Sequence, residues 1–188
     1  MLIALQRRML PADREIKAGR YQAKRESLVN IGLPELGDTT LGLVGLGAVG
    51  RQVARVTNVL GASVIYYDVK RPSADEEQAL EVQYKPLHEL LASCGAVSLH
   101  APLTPTTRGL MGAAELARMP RGAYLVNTAR GELIEPRALA EALESGHIAG
   151  AALDTLAPEP PPDNHPLLKL SPAARERLLL TPHIAGTT

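Results

Sequence analysis

Three segments in the second half of the chain place ionisable side chains directly after apolar runs. In Leu178-Leu-Leu-Thr181-Pro182-His183 an imidazole follows the last such run. Its ordinary pKa of about 6.5 lets it take or give a proton near neutral pH. In Asp154-Thr-Leu-Ala-Pro-Glu159-Pro160 two carboxylates follow the small apolar residues Ala149 to Leu153, and Glu159 sits between prolines that stiffen its backbone. A carboxylate beside an imidazole stabilises the charged ring and orients it. In Leu125-Val-Asn-Thr-Ala-Arg130-Gly131 a guanidinium follows another apolar run, where it can grip a substrate carboxylate with two parallel hydrogen bonds. Together these groups suit an alcohol oxidation, in which a base removes the hydroxyl proton as hydride departs, or the reverse. Each has a plainer reading: a structural histidine at a strand end, a solvated acidic loop, an arginine that caps its own turn. The chemical reading of His183, Glu159 and Arg130 rests on all three converging on one sheet edge.

The elements that must bring them there are short apolar runs, continuous instead of alternating, as in strands covered on both faces. They predict strands near 41 to 45, 63 to 67, 96 to 99, 123 to 127, 150 to 154 and 178 to 181. Helical segments separate them. Val49, Val53, Val56 and Leu60 share one face ahead of Gly61, and Pro86 and Pro136 open two further helices. This alternation predicts an α/β fold of the Rossmann type, a doubly wound parallel sheet with helices on both faces and right-handed crossovers. The chain divides into residues 1–40, read as an N-terminal helix over 2 to 25 with a connecting loop, and residues 41–188, read as a dinucleotide-binding domain. The helix carries Leu2, Leu5 and Met9 as an apolar stripe, and a stripe left uncovered marks an interface, here that of a homodimer.

The first strand runs into Gly45-Leu-Gly47-Ala-Val-Gly50, a Gly-x-Gly-x-x-Gly turn that opens a helix. Gly45 suits the tight turn, Gly47 lets the backbone approach a pyrophosphate, and Gly50 lets helix and strand pack closely. About 20 residues further on, Asp68 ends the second strand, where a carboxylate accepts hydrogen bonds from the adenosine ribose and repels a 2′-phosphate. NAD is therefore favoured over NADP, although Lys70 and Arg71 follow closely and an arginine there is the usual device for NADP.

Composition excludes several other classes. Lys plus Arg number 20 and Asp plus Glu number 20, so no broad field favours nucleic acid or an anionic membrane. With no Phe or Trp and five Tyr, the core must be aliphatic and base stacking is disfavoured. The lone Cys94 allows no intrachain disulfide, and Gln6, Arg7 and Arg8 interrupt the opening apolar stretch too early for a signal peptide or membrane span, which places the expected protein in the cytoplasm. Tyr66-x-x-x-Lys70 imitates a short-chain dehydrogenase pair but falls on the second strand. His88-Glu89 lacks the second histidine of a zinc helix, so no metal site is expected.

In order, GLGAVG, Asp68, SLHAPLTPTTRGL, VNTARGELI, AGAALDTLAPEP and TPHIAG resemble the cofactor-binding domain of the D-2-hydroxyacid dehydrogenases, from residue 41 almost to the end of the chain. The resemblance implies that His183 is the acid/base, Glu159 its carboxylate partner and Arg130 the group on the substrate carboxylate and carbonyl. It also implies that Ala48 and Val49 contact the pyrophosphate, that Pro102 and Thr107 lie near the adenosine, and that Thr128, Ala129 and Asp154 lie near the nicotinamide end. The implied reaction is hydride transfer between NAD and a small 2-hydroxy or 2-keto acid, in a dimer formed through this domain. Members of the family commonly have Asp-Val-Phe where this chain has Asp154-Thr155-Leu156, and a carboxylate at Gly95. They build a substrate domain from both chain ends, most of which is absent from these 188 residues. The competing reading is an NAD-responsive interaction module resembling the C-terminal binding protein corepressors, which share the motifs without needing turnover.

Overall fold

Aliphatic runs with β-branched and small residues form seven strands in one parallel sheet, described for residues 1–186 in a computed structural model. In chain order the strands are β1 (Thr40–Val44), β2 (Ser63–Tyr67), β3 (Val82–Tyr84), β4 (Ala96–Leu99), β5 (Ala123–Asn127), β6 (Ile148–Leu153) and β7 (Leu178–Leu180). The helices are α1 (Leu2–Gln6), α2 (Met9–Lys17), α3 (Tyr21–Ile31), α4 (Ala48–Val59), α5 (Ala74–Leu80), α6 (Leu87–Ser93), α7 (Ala113–Arg118), α8 (Pro136–Glu144) and α9 (Pro172–Arg175). The spatial order is β3-β2-β1-β4-β5-β6-β7 with every pairing parallel. The winding reverses between β1 and β4, so the carboxyl ends of those two strands open the crevice where such sheets take ligands.

Side-chain alternation along each strand feeds two aliphatic layers. Leu41 and Leu43 of β1 pack with Ala54 of α4, Val64, Tyr66 and Leu80 on one side. Val44 joins Leu90 and Leu91 of α6, Leu99, Leu116 of α7, and Leu139 and Leu143 of α8 on the other. Both faces are thus covered, which is why the strand sequences read as continuous apolar runs. No helix among the described residues is long and apolar enough to cross a membrane.

Three readings of the sequence need correction. The face of α4 that carries Val49, Val56 and Leu60, expected to be buried, is exposed, and the helix packs through the small residues Gly50 and Ala54 instead. The single helix expected over residues 2 to 25 is three helices, because Arg8 adopts the left-handed region (φ 48°) and Gly19 does so at φ 79°. The first of them, α1, lies against β5 and β6, and Gln6 is buried there, donating to Thr39 Oγ1 at 2.9 Å. The sheet also has a seventh strand, β3, on its edge. Its three residues Val82-Gln-Tyr84 have a polar centre and no apolar run, so only pairing with β2 identifies them.

Candidate active site

The glycine turn occupies the crevice between β1 and β4. Gly45 has φ 101°, and a Cβ on it would lie 2.7 Å from both Ala101 N and His100 C, so only glycine fits. A Cβ at Gly50 would stand 2.3 Å from Gly45 O, which fixes how closely α4 packs on the turn. Gly47 differs from both. A Cβ there meets no protein atom within 4 Å, so nothing inside the protein requires glycine at that position. Gly47 is also the N-cap of α4 and provides no side-chain cap, and Ala48 and Val49 behind it are exposed. The first turn of α4 therefore presents N–H groups and the positive end of its dipole to open space, the arrangement that binds phosphate oxygens.

Asp68 closes the other side of this crevice at the end of β2. Its Oδ2 accepts the N–H of Leu46 at 2.7 Å and its Oδ1 accepts the N–H of Lys70 at 2.9 Å, which orients the carboxylate while leaving lone pairs for a ligand. A cavity of about 350 Å³ lies beside it, lined by Gly45, Gly47, Asp68, His100, Pro102 and Thr107 among others. Thr107 Oγ1 donates to Pro102 O at 2.7 Å and accepts the Thr104 N–H at 2.7 Å, which folds this stretch into a fixed wall. Sequence reasoning misses His100 as a site residue, although it follows β4 directly. Burial pushes its imidazole down to about 4, and the neutral ring lies 2.9 Å from Ser98 Oγ through Nε2. An edge free of Cβ, an uncapped helix and an oriented carboxylate fit a dinucleotide.

On the same carboxyl-end rim, His183 Nδ1 and Glu159 Oε2 meet at 2.9 Å, both side chains about half exposed. The loop that carries the imidazole is tied down by Asp154 at the end of β6. Asp154 O accepts the His183 N–H at 2.8 Å, and the Asp154 carboxylate accepts Ile184 N–H (3.1 Å), Ala185 N–H (2.9 Å) and the hydroxyl of Thr181. These contacts hold His183 in the left-handed region at φ 55°, a conformation that disfavours most side chains. Burial alone would raise Asp154, but the bonds from Thr181, Ala185 and Ile184 outweigh it and keep the carboxyl below its ordinary value.

Arg130 stands exposed after β5, donating from Nη1 to Ala129 O at 2.7 Å. No hydrogen bond or ion pair joins it to His183 or Glu159 among the described residues. Asn127, which no sequence signal singles out, organises the loop: it donates to Arg130 O at 2.8 Å and accepts the Ala129 N–H at 3.0 Å, which fixes Thr128 and Ala129. Gly131 is a second residue the sequence leaves unmarked. A Cβ on it would lie 2.3 Å from Leu156 C, so its absence lets the Arg130 loop rest on the segment leading to Glu159.

A parallel sheet wound both ways from a glycine turn, with an oriented acid ending β2, defines the nucleotide-binding α/β class. Residues 1–185 match the family described as D-isomer specific 2-hydroxyacid dehydrogenase, NAD binding domain. A glyoxylate reductase of Korarchaeum cryptofilum is 42% identical over 188 residues, all of this chain and 54% of its own length. D-3-phosphoglycerate dehydrogenase of Archaeoglobus fulgidus is 37% identical over the whole chain and 34% of its own. Among solved structures, the D-lactate dehydrogenase from Aquifex aeolicus complexed with NAD and lactic acid superposes with a TM-score of 0.88 at 29% identity, covering all of this chain and 57% of that one. The chain belongs to the D-isomer specific 2-hydroxyacid dehydrogenases, as their NAD-binding domain, and spans about half the length of the curated relatives it matches. These relatives side with the dehydrogenase reading and not with the corepressor-like module.

Proposed function

We propose that the chain is the cofactor-binding, acid/base half of an oxidoreductase that interconverts a small D-2-hydroxy acid and its 2-keto acid with NAD. The pairing of His183 with Glu159 at 2.9 Å, on the rim that also carries the glycine turn, supports this reading most strongly. NAD, when bound, supplies the hydride acceptor or donor. Gly45, Gly47, Ala48, Val49 and Gly50 would hold its pyrophosphate, Asp68 its adenosine ribose, and Pro102 and Thr107 would flank the adenosine. Thr128, Ala129 and Asp154 would border the nicotinamide.

Glu159 faces Nδ1 of His183, which keeps the proton on that nitrogen and leaves Nε2 to take the substrate's hydroxyl proton. The imidazolium that results is stabilised by the same carboxylate, and the proton returns by the same route in reduction. Arg130 holds the substrate carboxylate through its planar fork. Asp68 favours a free ribose 2′-hydroxyl, hence NAD over NADP. Of the stripe Leu2, Leu5 and Met9, the first two are half-buried against the sheet, and it is exposed Met9, with Ile3, Leu10 and Ile16 on α1 and α2, that supports a homodimer through the N-terminal helices. The lone cysteine, Cys94, is a free buried thiol, which is consistent with a cytoplasmic setting.

The test is His183→Asn, because asparagine tolerates the left-handed backbone that position demands. With glyoxylate, hydroxypyruvate and pyruvate as substrates of the complete protein, turnover should fall roughly 10²- to 10⁴-fold. NAD affinity should stay within about twofold, since the imidazole acts on the substrate proton and not on the dinucleotide. Wild-type turnover in the variant rules out the acid/base role.

A further inference from the structure

Two guanidiniums stand on the segments either side of Asp68, one on α4 and one on the turn after β2, and consecutive carboxylates at the start of α5 engage both. Arg51, in the first turn of α4, donates from Nε to Leu46 O at 3.1 Å and pairs with Glu76. Arg71, three residues past Asp68, forms a two-pronged pair with Glu77: Nε to Oε1 at 2.6 Å and Nη2 to Oε2 at 2.8 Å. Glu77 is well anchored, with 13% of its side chain exposed against 60% for Arg71, and its Oε1 also accepts the hydroxyl of the fully buried Tyr66. The Arg71 guanidinium lies over the ring of Tyr84, 5.1 Å from its centroid, and Tyr84 in turn packs edge-on against Tyr66. Arg71 and Tyr66 hold the Glu77 carboxyl down to about 2, so it is charged near neutral pH.

An arginine just past the acid that ends β2 is the group that receives a 2′-phosphate in NADP-binding relatives of this fold class. Here the Nε–Nη2 edge of that guanidinium is taken up by Glu77. We propose that Glu77 is a specificity-determining residue that acts through Arg71: by holding the guanidinium against α5 and Tyr84, it withholds the cation a ribose 2′-phosphate needs, so the site takes the dinucleotide with a free 2′-hydroxyl. Discrimination against the phosphate then has two layers. Asp68 repels it directly, and Glu77 removes its counter-charge. Lys70 also lies on this turn, but its ammonium is a point charge without the two-pronged geometry, and it is common to all the variants compared below.

The inference rests on the dinucleotide reading of the crevice, and the test separates the two. NAD and NADP are titrated by calorimetry into the chain and into Asp68→Ser, Asp68→Ser/Glu77→Gln and Asp68→Ser/Glu77→Gln/Arg71→Ala, with a thermal melt on each. The amide introduced by Glu77→Gln retains an acceptor for the Tyr66 hydroxyl, so the fold is expected to persist. The NADP-to-NAD affinity ratio should rise with Asp68→Ser, rise about a further tenfold with Glu77→Gln as a charge-assisted pair becomes available, and lose that gain with Arg71→Ala. In the wild-type background Arg71→Ala alone should leave the ratio unchanged, a result that needs no change at Glu77. If the wild type binds NAD but the ratio is equal in the single and double variants, or Arg71→Ala alone lowers it, the Glu77 assignment is wrong. If the wild type binds neither dinucleotide, the reading of the crevice fails and the inference fails with it.

Discussion

Gly47 separates what the protein needs from what its ligand needs. A Cβ at this position meets no protein atom within 4 Å, and its φ of −72° is open to any residue. Gly47→Ala therefore has two small effects on stability. Fewer unfolded conformations stabilise the variant by about 0.4–1 kcal/mol, while alanine is a poorer N-cap than glycine by a similar amount. They nearly cancel, so the melting temperature should move by no more than about 2 °C, the shift expected from about 0.5 kcal/mol in a domain of this size. Binding is another matter. With the pyrophosphate placed as proposed, the new methyl group occupies the space through which it reaches the N–H groups of α4, and losing one charge-assisted hydrogen bond of about 1.5–3 kcal/mol should weaken NAD roughly 10- to 100-fold. Calorimetric titration paired with a thermal melt reads both quantities on one preparation. An alanine variant that melts like the wild type and binds NAD equally well refutes the placement of the pyrophosphate at this turn.

Other perturbations report on parts of the fold that support the site. His100 is buried neutral at about 4, below the ordinary histidine value of 6.5, so the unfolded chain binds more protons than the native one between those values. The stability His100 contributes is fully present above about pH 6.5 and is lost as pH falls toward 4, by up to about 3 kcal/mol; urea unfolding at stepped pH should show a flatter slope for His100→Gln. Thr155 Oγ1 is buried without a hydrogen-bond partner among the described residues, so Thr155→Val should raise stability by about 1 kcal/mol and the melting temperature by about 3 °C. A lower melting temperature for that variant means the hydroxyl is satisfied in solution.

Legibility in the sequence follows how local each constraint is. The six strands other than β3 can be placed because each carries an apolar run, and the runs are nearly continuous because aliphatic layers cover both faces of the sheet. Edge strand β3 has no such run. Gly45, Gly50 and Asp68 are legible because their roles are set by spacing along one β-α-β unit. The pairing of His183 with Glu159 joins the ends of two different strands, so residue types alone make it plausible and the family's motif order makes it specific. Contacts between distant elements leave no trace: Glu77 on Arg71, Asn127 holding the Arg130 loop, and Asp154 gathering the backbone of residues 183 to 185. Gly19 is tolerated inside a helix at a modest cost and nothing in the sequence marks Arg8 as left-handed, which is why three helices read as one.

The proposed reaction would require a nicotinamide laid along the rim from Asp68 to His183. A crystal structure of the protein with NAD bound measures this directly. The expected result is an adenosine ribose on the Asp68 carboxylate, phosphate oxygens on the N–H groups at Gly47 and Ala48, and the nicotinamide within reach of His183 Nε2. A dinucleotide seated away from the glycine turn, or a nicotinamide turned from the His183 imidazole, contradicts it.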